Sequence, residues 1–535
     1  MSTGRLLCAL ALAAATLHAQ SLPDLGGYAE PPSSTTFDDE FVLVDLGDLD
    51  GDGLDDYGVV GGTAPTVLLG GTSFIHHSTT GVGTFLHETF PVGGSRRAAR
   101  IFSLPDLDGN SLPEVAYVMP VAFPMGSSIT EVRIASGLTL APIATIPLAS
   151  VEAIDALSPR FAAIGDQTGD GVIDFVLSYV SLVSVFGPVH ETRIDLIDGV
   201  TFTPSPLASF SNVQLTPGGL VTVGDVDGDG VTDFVSSSPE TSYVVSQGGS
   251  ATLFSGASGI GLRNWLGMTA GEKLGSALAP LDDIDGDGRD DVAILAAGTL
   301  GAGRVSFFST GTGLALHVID PPVGSVLRRL LAAGDMDGDG TRDVVIELED
   351  LATGARVREV RSGDDVAVIA TIPASHHPVG DLNGDRIADR IEVDRSALTF
   401  PGAPVYRGRA LLGAQSYGTG VGGRLLRWLP FASVPAAGVL QFSGATPGTP
   451  LLGAISLQPA ATTIFGTPFP LLISPAPQDL LATFGYAADA AGGHADFIDM
   501  RVPALAGLVI YMQFAELGVN PGTSNAVEMM FGPTP

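Results

Sequence analysis

The chain has 535 residues, of which 45% are hydrophobic, and its 58 acidic residues outnumber 25 basic ones to give a net charge of −33. The hydrophobic share is ample for a core, which excludes an intrinsically disordered chain. Nucleic acids and anionic membranes repel so negative a protein, and we expect neither as a partner. The length exceeds one ordinary domain, and 70 Gly with 37 Pro indicate the many tight turns of an all-β protein.

The N-terminus has the pattern of a secretory signal. Arg5 precedes an apolar run from Leu6 to Leu17, and His-Ala-Gln follows, with cleavage expected after Ala19 or nearby. We therefore predict a signal peptide over residues 1–20 and a linker over 21–35, with a buried first strand or helix as the alternative. Cys8 is the single cysteine and lies within the predicted signal peptide, so the exported chain would have no disulfide. Its fold would need another stabilising element. No later segment is apolar enough to span a membrane, and we expect a secreted or cell-surface protein.

A nine-residue acidic motif recurs seven times between residues 48 and 389. Positions 1, 3, 5 and 9 carry oxygen-bearing side chains, position 4 is Gly, and position 6 is usually Gly. The candidate ligands are Asp48, Asp50, Asp52 and Asp56 in loop one; Asp106, Asp108, Asn110 and Glu114 in loop two; Asp166, Thr168, Asp170 and Asp174 in loop three; Asp225, Asp227, Asp229 and Asp233 in loop four; Asp283, Asp285, Asp287 and Asp291 in loop five; Asp335, Asp337, Asp339 and Asp343 in loop six; and Asp381, Asn383, Asp385 and Asp389 in loop seven.

These residue types indicate calcium sites. Hard oxygen ligands in a short flexible loop are what Ca²⁺ prefers. Gly supplies the positive φ that lets so short a loop curl around an ion. Without a cation, carboxylates this close would repel one another at neutral pH. The sequence therefore predicts up to seven bound Ca²⁺ ions, which could serve as the stabilising element of a chain without disulfides.

The EF-hand is the obvious alternative, but it requires a Glu at position 12 and a helix on each side. Only loop seven has an acid there, Glu392. The flanking segments are short and β-branched, as in residues 41–44 and 291–295, which predicts strands. Each loop is therefore expected to join two strands in a hairpin.

The spacing of the loops predicts the architecture. The motif recurs about every 46 to 60 residues, and a turn of small residues follows most copies, as in 252–259, 305–313 and 358–364. Such a period is typical of arrays and propellers. Four strands fit in about 50 residues, and radial repetition of four-stranded sheets hides their edges. We predict an all-β fold with a seven-bladed β-propeller over residues 36–408.

Residues 274–298 resemble an FG-GAP repeat, the blade unit of integrin α-subunit propellers, which is also known in bacteria as the VCBS-type repeat. The resemblance covers about residues 36–408. It implies a propeller whose blade hairpins carry Ca²⁺, in a family that is mostly extracellular and often adhesive. Three positions depart from the pattern: Thr168 replaces an acid, and Ser111 and Arg386 replace the Gly at position 6. We expect loop seven, with Asn383 and Arg386, to be the weakest site.

The acidic loops stop after Arg409. Residues 409–423 are predicted as a Gly-rich linker, and 424–535 as a β-sandwich, because short apolar runs alternate with Pro and Gly turns. The end of the chain resembles a C-terminal β-module of secreted bacterial proteins, a resemblance that implies no known chemistry.

The sequence contains no recognisable catalytic motif. Neither His-Glu-x-x-His nor Gly-x-Ser-x-Gly occurs, so we predict no catalytic residue. The favoured function is a non-enzymatic, monomeric scaffold for adhesion or protein interaction, with an extracellular protein or glycan of unknown identity as partner. The alternative is a carbohydrate-binding module, or a polysaccharide lyase or dehydratase by analogy of fold. Trp265 is the better of two tryptophan candidates for an exposed sugar contact, but a position in the core is favoured for it.

Overall fold

A computed structural model describes most of the two predicted domains. The described residues are 27–29, 41–61, 73–76, 83–85, 87–90, 94–97, 100–122, 128–148, 159–184, 189–212, 218–298, 302–382, 385–399, 403–409, 413–417, 424–430, 436–463, 470–473, 480–500, 508–517 and 521–530. Within these ranges every regular element is a β-strand and none is a helix. This confirms the all-β prediction, and the described segments that flank the acidic loops are strands rather than the helices that an EF-hand needs.

Most of the strands form seven antiparallel sheets of four strands. In chain order the strands are β1 (Gly27–Ala29); β2 (Phe41–Gly47), β3 (Asp56–Gly61), β4 (Ser73–His76) and β5 (Gly83–Phe85); the separate hairpin β6 (His87–Phe90) and β7 (Gly94–Arg97); β8 (Arg100–Leu104), β9 (Glu114–Ala122), β10 (Ser128–Ser136) and β11 (Pro142–Leu148); β12 (Arg160–Gly165), β13 (Asp174–Ser184), β14 (Val189–Ile197) and β15 (Pro204–Asn212); β16 (Leu220–Thr222), β17 (Phe234–Ser238), β18 (Ser250–Phe254) and β19 (Gly261–Leu266); β20 (Leu274–Pro280), β21 (Val292–Ala296), β22 (Arg304–Phe308) and β23 (Ala315–Ile319); β24 (Ser325–Ala332), β25 (Val344–Asp350), β26 (Arg356–Arg361) and β27 (Val368–Pro373); and β28 (His376–Pro378), β29 (Arg390–Thr399) and β30 (Ala403–Arg409).

The sheets pack side by side in chain order. The first strand of each sheet, from β2 through β24, lies against the first strand of the next. Hydrophobic clusters join neighbouring sheets of the ring: Phe161 and Phe175 of the third sheet, for example, pack with Val118 and Val132 of the second. A sheet covered on both faces needs nearly continuous apolar strands, and all five residues of β21 are buried. The packing is that of a β-propeller.

The N-terminal strand and a contact between two loops close the ring. β1 pairs with β30, so the seventh sheet takes its fourth strand from the start of the chain. The Asp55 N–H of the first sheet donates to the Asp381 carbonyl of the seventh at 2.7 Å. The Asp381 N–H donates in return to Asp55 Oδ2, also at 2.7 Å. The first and last repeats therefore meet, although they are far apart in sequence.

The rest of the chain forms a β-sandwich-like module with its own core. Its strands are β31 (Gly413–Tyr417), β32 (Leu425–Pro430), β33 (Ala437–Ser443), β34 (Pro450–Ser456), β35 (Pro459–Thr463), β36 (Pro470–Ile473), β37 (Leu480–Ala487), β38 (His494–Asp499), β39 (Val509–Glu516) and β40 (Gly522–Met530). A five-stranded sheet in the order β31-β40-β39-β34-β37 faces a three-stranded sheet, β32-β33-β38. Phe442 from the smaller sheet stacks on Phe514 from the larger one within the shared core.

The structure corrects two linker predictions in part. The segment 21–35 contains β1, which belongs to the propeller. The segment 409–423 contains β31, which pairs with β40 and so belongs to the C-terminal module. Both strands are short, and each depends on a partner distant in sequence, so their own residues do not reveal them. The predicted signal peptide, residues 1–20, lies outside the described residues.

Candidate metal sites in the acidic loops

Each acidic loop connects the first and second strands of its sheet, as the sequence predicts. Loop four, for example, runs between β16 and β17, which pair in antiparallel register through Val221 and Val235. Since this connection recurs in all seven sheets, the loops lie at equivalent ends of equivalent hairpins.

The Asp at position 1 organises the loop backbone. In loop four, Asp225 Oδ1 accepts hydrogen bonds from the N–H groups of Gly228 at 2.7 Å and Asp229 at 3.1 Å. Its Oδ2 accepts a third from Gly230 at 2.8 Å. The same three bonds recur in loops one, two, three, five and six. One carboxylate therefore holds the loop backbone in its curled form.

Positions 4 and 6 require the left-handed backbone conformation that favours glycine. In loop four, Gly228 and Gly230 have φ values of 83° and 92°. Two residues with a Cβ occupy position 6 elsewhere: Ser111 with φ 67° and Arg386 with φ 66°. Ser111 and Arg386 therefore both adopt a backbone geometry that favours glycine, and both are strained.

Five loops bring three carboxylates together. In each group, one oxygen from each acid lies within 4.8 Å of the others, and the groups are Asp48, Asp50 and Asp56; Asp106, Asp108 and Glu114; Asp225, Asp227 and Asp229; Asp283, Asp285 and Asp291; and Asp335, Asp337 and Asp339. The acids of loops three and seven form no such group among the described residues. Asn383 lies outside those residues, and Thr168 is exposed. The loops that depart from the motif at position 3 are thus the ones whose acids do not converge.

The acid at position 9 has a second role that its place in the motif does not reveal. Asp233 Oδ2 accepts a hydrogen bond from the Val226 N–H at 2.9 Å, within its own loop. Its Oδ1 accepts one from the Gly256 N–H, also at 2.9 Å, in the turn between the third and fourth strands. Equivalent bonds join Gly199 to Asp174, Thr310 to Asp291 and Gly363 to Asp343. The position-9 acid therefore ties the acidic loop to the neighbouring turn.

Close approach explains why these turns use small residues. A Cβ at Gly256 would lie 2.2 Å from the Thr232 carbonyl oxygen, and a Cβ at Gly199 would lie 2.1 Å from that of Ile173. The fifth sheet has Thr310 instead, whose hydroxyl donates to the Asp290 carbonyl at 2.6 Å. The recurring small-residue turn was visible in the sequence, but only the fold shows what it contacts.

Oε1 of Glu114 and Oδ1 of Asp389 are buried carboxylate oxygens for which the described residues supply no hydrogen-bond partner. Both side chains are fully buried, and the second oxygen of each accepts a backbone N–H, from Leu107 and Leu382 respectively. A buried, ionised oxygen without a partner is costly. A cation would supply the missing interaction, and the all-oxygen donor set suits Ca²⁺.

Crowding and burial raise the pKa of several loop acids. Burial, with the nearby Asp337 carboxylate as a second cause, raises the pKa of Asp343 to about 9. Burial likewise raises the pKa of Glu114 to about 7 and the pKa values of Asp291 and Asp335 to about 6. A divalent cation would reverse these shifts, because it favours the ionised form.

Trp265, the candidate for an exposed sugar contact, belongs to the core. It is 6% exposed and packs against Phe308, with ring centroids 5.4 Å apart. Its indole N–H donates to the Gly313 carbonyl at 3.1 Å. The side chain therefore offers no free face for stacking on a sugar.

Among the described residues, no helix has the length and hydropathy to cross a membrane.

Comparison with known proteins identifies an integrin subunit as a relative. The chain is 28% identical over 208 residues to integrin alpha-V of Gallus gallus, an alignment that covers 34% of this chain and 19% of that protein. This chain thus matches about a fifth of the relative's length. No family model matches the sequence. The crystal structure of BBS1N in complex with ARL6DN, soaked with lead, superposes with a TM-score of 0.41 at 11% identity, covering 74% of this chain and 98% of that one. The integrin similarity agrees with a propeller-type repeat protein.

Proposed function

We propose that this protein is an extracellular, calcium-stabilised β-propeller that acts as a non-enzymatic scaffold for adhesion or protein interaction. The observation that carries the calcium proposal is the convergence of three carboxylate oxygens within 4.8 Å in each of five loops. Backbone N–H groups already hold these loops in a curled form, so little ordering remains for the ion to do. The residues that would hold it are the acids at positions 1, 3, 5 and 9.

The arrangement of acids and turns supports a structural role for the ion. When bound, the cation supplies positive charge that offsets repulsion among the loop carboxylates. The chain itself supplies the connection to the rest of the sheet. Asp233, Asp291 and Asp343 each bond both to their own loop and to the turn between the third and fourth strands. Holding these acids in their ionised form would therefore hold two hairpins together.

Exposed apolar residues support the interaction role. The turns that contact the position-9 acids lie at the same end of the sheets as the acidic loops. Three of these turns carry a large apolar side chain with 55% to 68% exposure, namely Val200, Ile260 and Leu314, and the turn between the third and fourth strands of the second sheet carries Leu138 with 47% exposure. Turns on a rigid frame are common binding surfaces, and exposed apolar groups contribute to protein contacts. The integrin similarity and the predicted signal peptide support an extracellular location.

Calorimetric titration of the full chain with Ca²⁺ tests the metal proposal. We expect binding at loops one, two, four, five and six, and a loss of about one site in a variant with Asp227→Ala. Absence of binding in the millimolar range, where extracellular calcium modules bind, would overturn the proposal.

Screens with the calcium-loaded protein test the scaffold proposal. A panel of purified extracellular proteins should yield a ligand whose binding weakens in Leu314→Ser and Ile260→Ser, while Val368→Ser, an exposed change on β27, should not affect it. Binding confined to a glycan array, or turnover in a polysaccharide-degradation assay, would instead favour the carbohydrate-binding or lyase alternative.

A further inference from the structure

The C-terminal module is seated on loops six and seven of the propeller. The Ala436 N–H, at the start of β33, donates to the carbonyl of Gly338 in loop six at 3.1 Å. Ile387 of loop seven is fully buried in the same cluster as Leu440 and Phe442 of the module. Since both contacts involve the acidic loops themselves, the interface lies directly beside two candidate metal sites.

The contact with the C-terminal module buries part of loop six, whose acidic motif is the same as that of loops four and five. Asp337, at position 3 of loop six, is fully buried, whereas Asp227 and Asp285 at the same position of loops four and five are exposed. A Cβ at Gly338 would lie 2.3 Å from the Cβ and 2.5 Å from the backbone nitrogen of Ala436. A Cβ at Gly228, the equivalent residue of loop four, would meet nothing within 4 Å.

The contact is connected on both sides. Gly338 is one of the residues that Asp335 Oδ1 holds, through a 2.6 Å hydrogen bond from the Gly338 N–H. On the module side, the Ala436 carbonyl accepts a hydrogen bond from the Met500 N–H at 2.9 Å, which ties the end of β38 to the same point. The curl of loop six thus sets the position of the Gly338 carbonyl. Ala436 bonds to this carbonyl directly, and Met500 is linked to it through Ala436.

We propose that cation binding at loop six and seating of the C-terminal module are coupled, so that the ion holds the module on the propeller. The inference rests on the proposed calcium function. A bound ion fixes the loop in the form whose Gly338 carbonyl meets Ala436, and the seated module in turn favours that form of the loop. Because such coupling is reciprocal, the module raises the calcium affinity of loop six by the same factor by which calcium tightens the seat.

Hydrogen exchange on the full chain tests the coupling. The Ala436 amide donates across the interface to the Gly338 carbonyl, so its exchange reports opening of that interface. We expect it to exchange about fivefold or more faster in chelator than in millimolar calcium, a typical coupling factor. The core amides of β39, inside the module, should change less. Equal protection of Ala436 with and without calcium, in protein that binds calcium, would overturn the inference.

A pair of glycine variants supplies the matched control. Gly338→Ala places a Cβ against Ala436, while Gly228→Ala introduces the same kind of residue at a similar φ, 83° against 73°, in open space. Both variants strain a loop, but only Gly338→Ala should expose the Ala436 amide in the presence of calcium. It should also weaken one calcium site by about fivefold more than Gly228→Ala does, as reciprocity requires.

The outcomes separate this inference from the function on which it rests. If calorimetry shows no calcium binding at any loop, both fail. If calcium binds but the two glycine variants affect the Ala436 amide and calcium affinity equally, only the coupling fails. If the amide is exposed in Gly338→Ala while calcium affinity is unaltered, the seat exists but is not linked to the ion, and the inference is wrong.

Discussion

Loops five and six have the same chemistry in different surroundings. Both carry four aspartates, and in both the position-1 carboxylate accepts three backbone hydrogen bonds of 2.6 to 3.1 Å. The acids at positions 1, 3 and 5 of loop five are exposed, but loop six lies against the C-terminal module. The pKa of the position-9 acid is raised to about 6 in Asp291 and to about 9 in Asp343. The motif sets local geometry, and the surroundings set the cost of keeping its charges.

The largest expected effect comes from removing calcium from all the acidic loops together. Extracellular calcium modules bind with Kd of roughly 10⁻⁴ to 10⁻³ M, so at millimolar calcium each site contributes on the order of 1 kcal/mol. Several sites together should stabilise the propeller by several kcal/mol. We expect excess chelator to lower the Tm markedly and to raise protease sensitivity between residues 36 and 408. An unaltered melting curve would contradict the calcium proposal.

The next largest effect should separate the structural role of position 9 from metal binding. Asp233→Ala leaves three N–H donors, those of Val226, Asp227 and Gly256, without their acceptor. We expect a loss of about 3 kcal/mol in unfolding free energy, even in chelator. Asp229→Ala in the same loop removes an exposed acid that accepts one backbone hydrogen bond, from the Val231 N–H, and one from the Ser255 hydroxyl, and it should cost less in chelator. Denaturant unfolding of both variants measures the difference, and equal losses would show that Asp233 is only a ligand.

The contrast in pKa predicts an effect of pH on the chelated protein. The pKa of Asp343 is raised from 3.8 to about 9, so the folded state holds a proton that the unfolded chain releases. Its contribution to stability is therefore complete below about pH 4 and is lost as pH rises toward about 9. We expect the Tm in chelator to fall between about pH 5 and about pH 8, and calcium to flatten the curve. A Tm that rises over this range would refute the assignment.

Relief of strain in loop seven should have a smaller effect. Arg386→Gly removes a Cβ from a residue with φ 66°, and we expect about 1 kcal/mol of added stability and tighter calcium binding there. Ser111→Gly removes a similar strain in loop two without a change of charge. Calorimetry on both variants therefore shows how much of the gain in Arg386→Gly is due to charge. No gain in either would mean that these loops have relaxed around their side chains.

The smallest expected effect ranks the sites. Loop four has four acids, three of which converge, while loop seven has Asn383 in place of an acid. We expect the calcium-dependent part of stability, measured as the difference between calcium and chelator, to fall by about 1 kcal/mol in Asp229→Ala and by less in Asp385→Ala. The reverse order would show that motif quality does not govern affinity.

Local periodicity made the propeller predictable, and long-range pairing limited the prediction. Seven spaced motifs indicated the hairpins, and the structure confirms an all-β fold of four-stranded sheets. β1 could not be found in the same way, because three residues without a motif become a strand only through β30. The same holds for β31. It lies in a Gly-rich segment whose sequence predicts a linker, and it becomes a strand by pairing with β40.

The sequence by itself determined the acidic loops, because their shape depends on contacts within nine residues. Asp225, Gly228 and Gly230 carry the information that curls loop four, and the same spacing gives the same bonds wherever it occurs. The tertiary structure alone decided what each loop touches. Gly256 reaches Asp233, and Ala436 reaches Gly338, only after strands distant in sequence have been packed together. Burial and charge repulsion sum over all such neighbours, which is why equivalent acids in loops five and six differ in pKa.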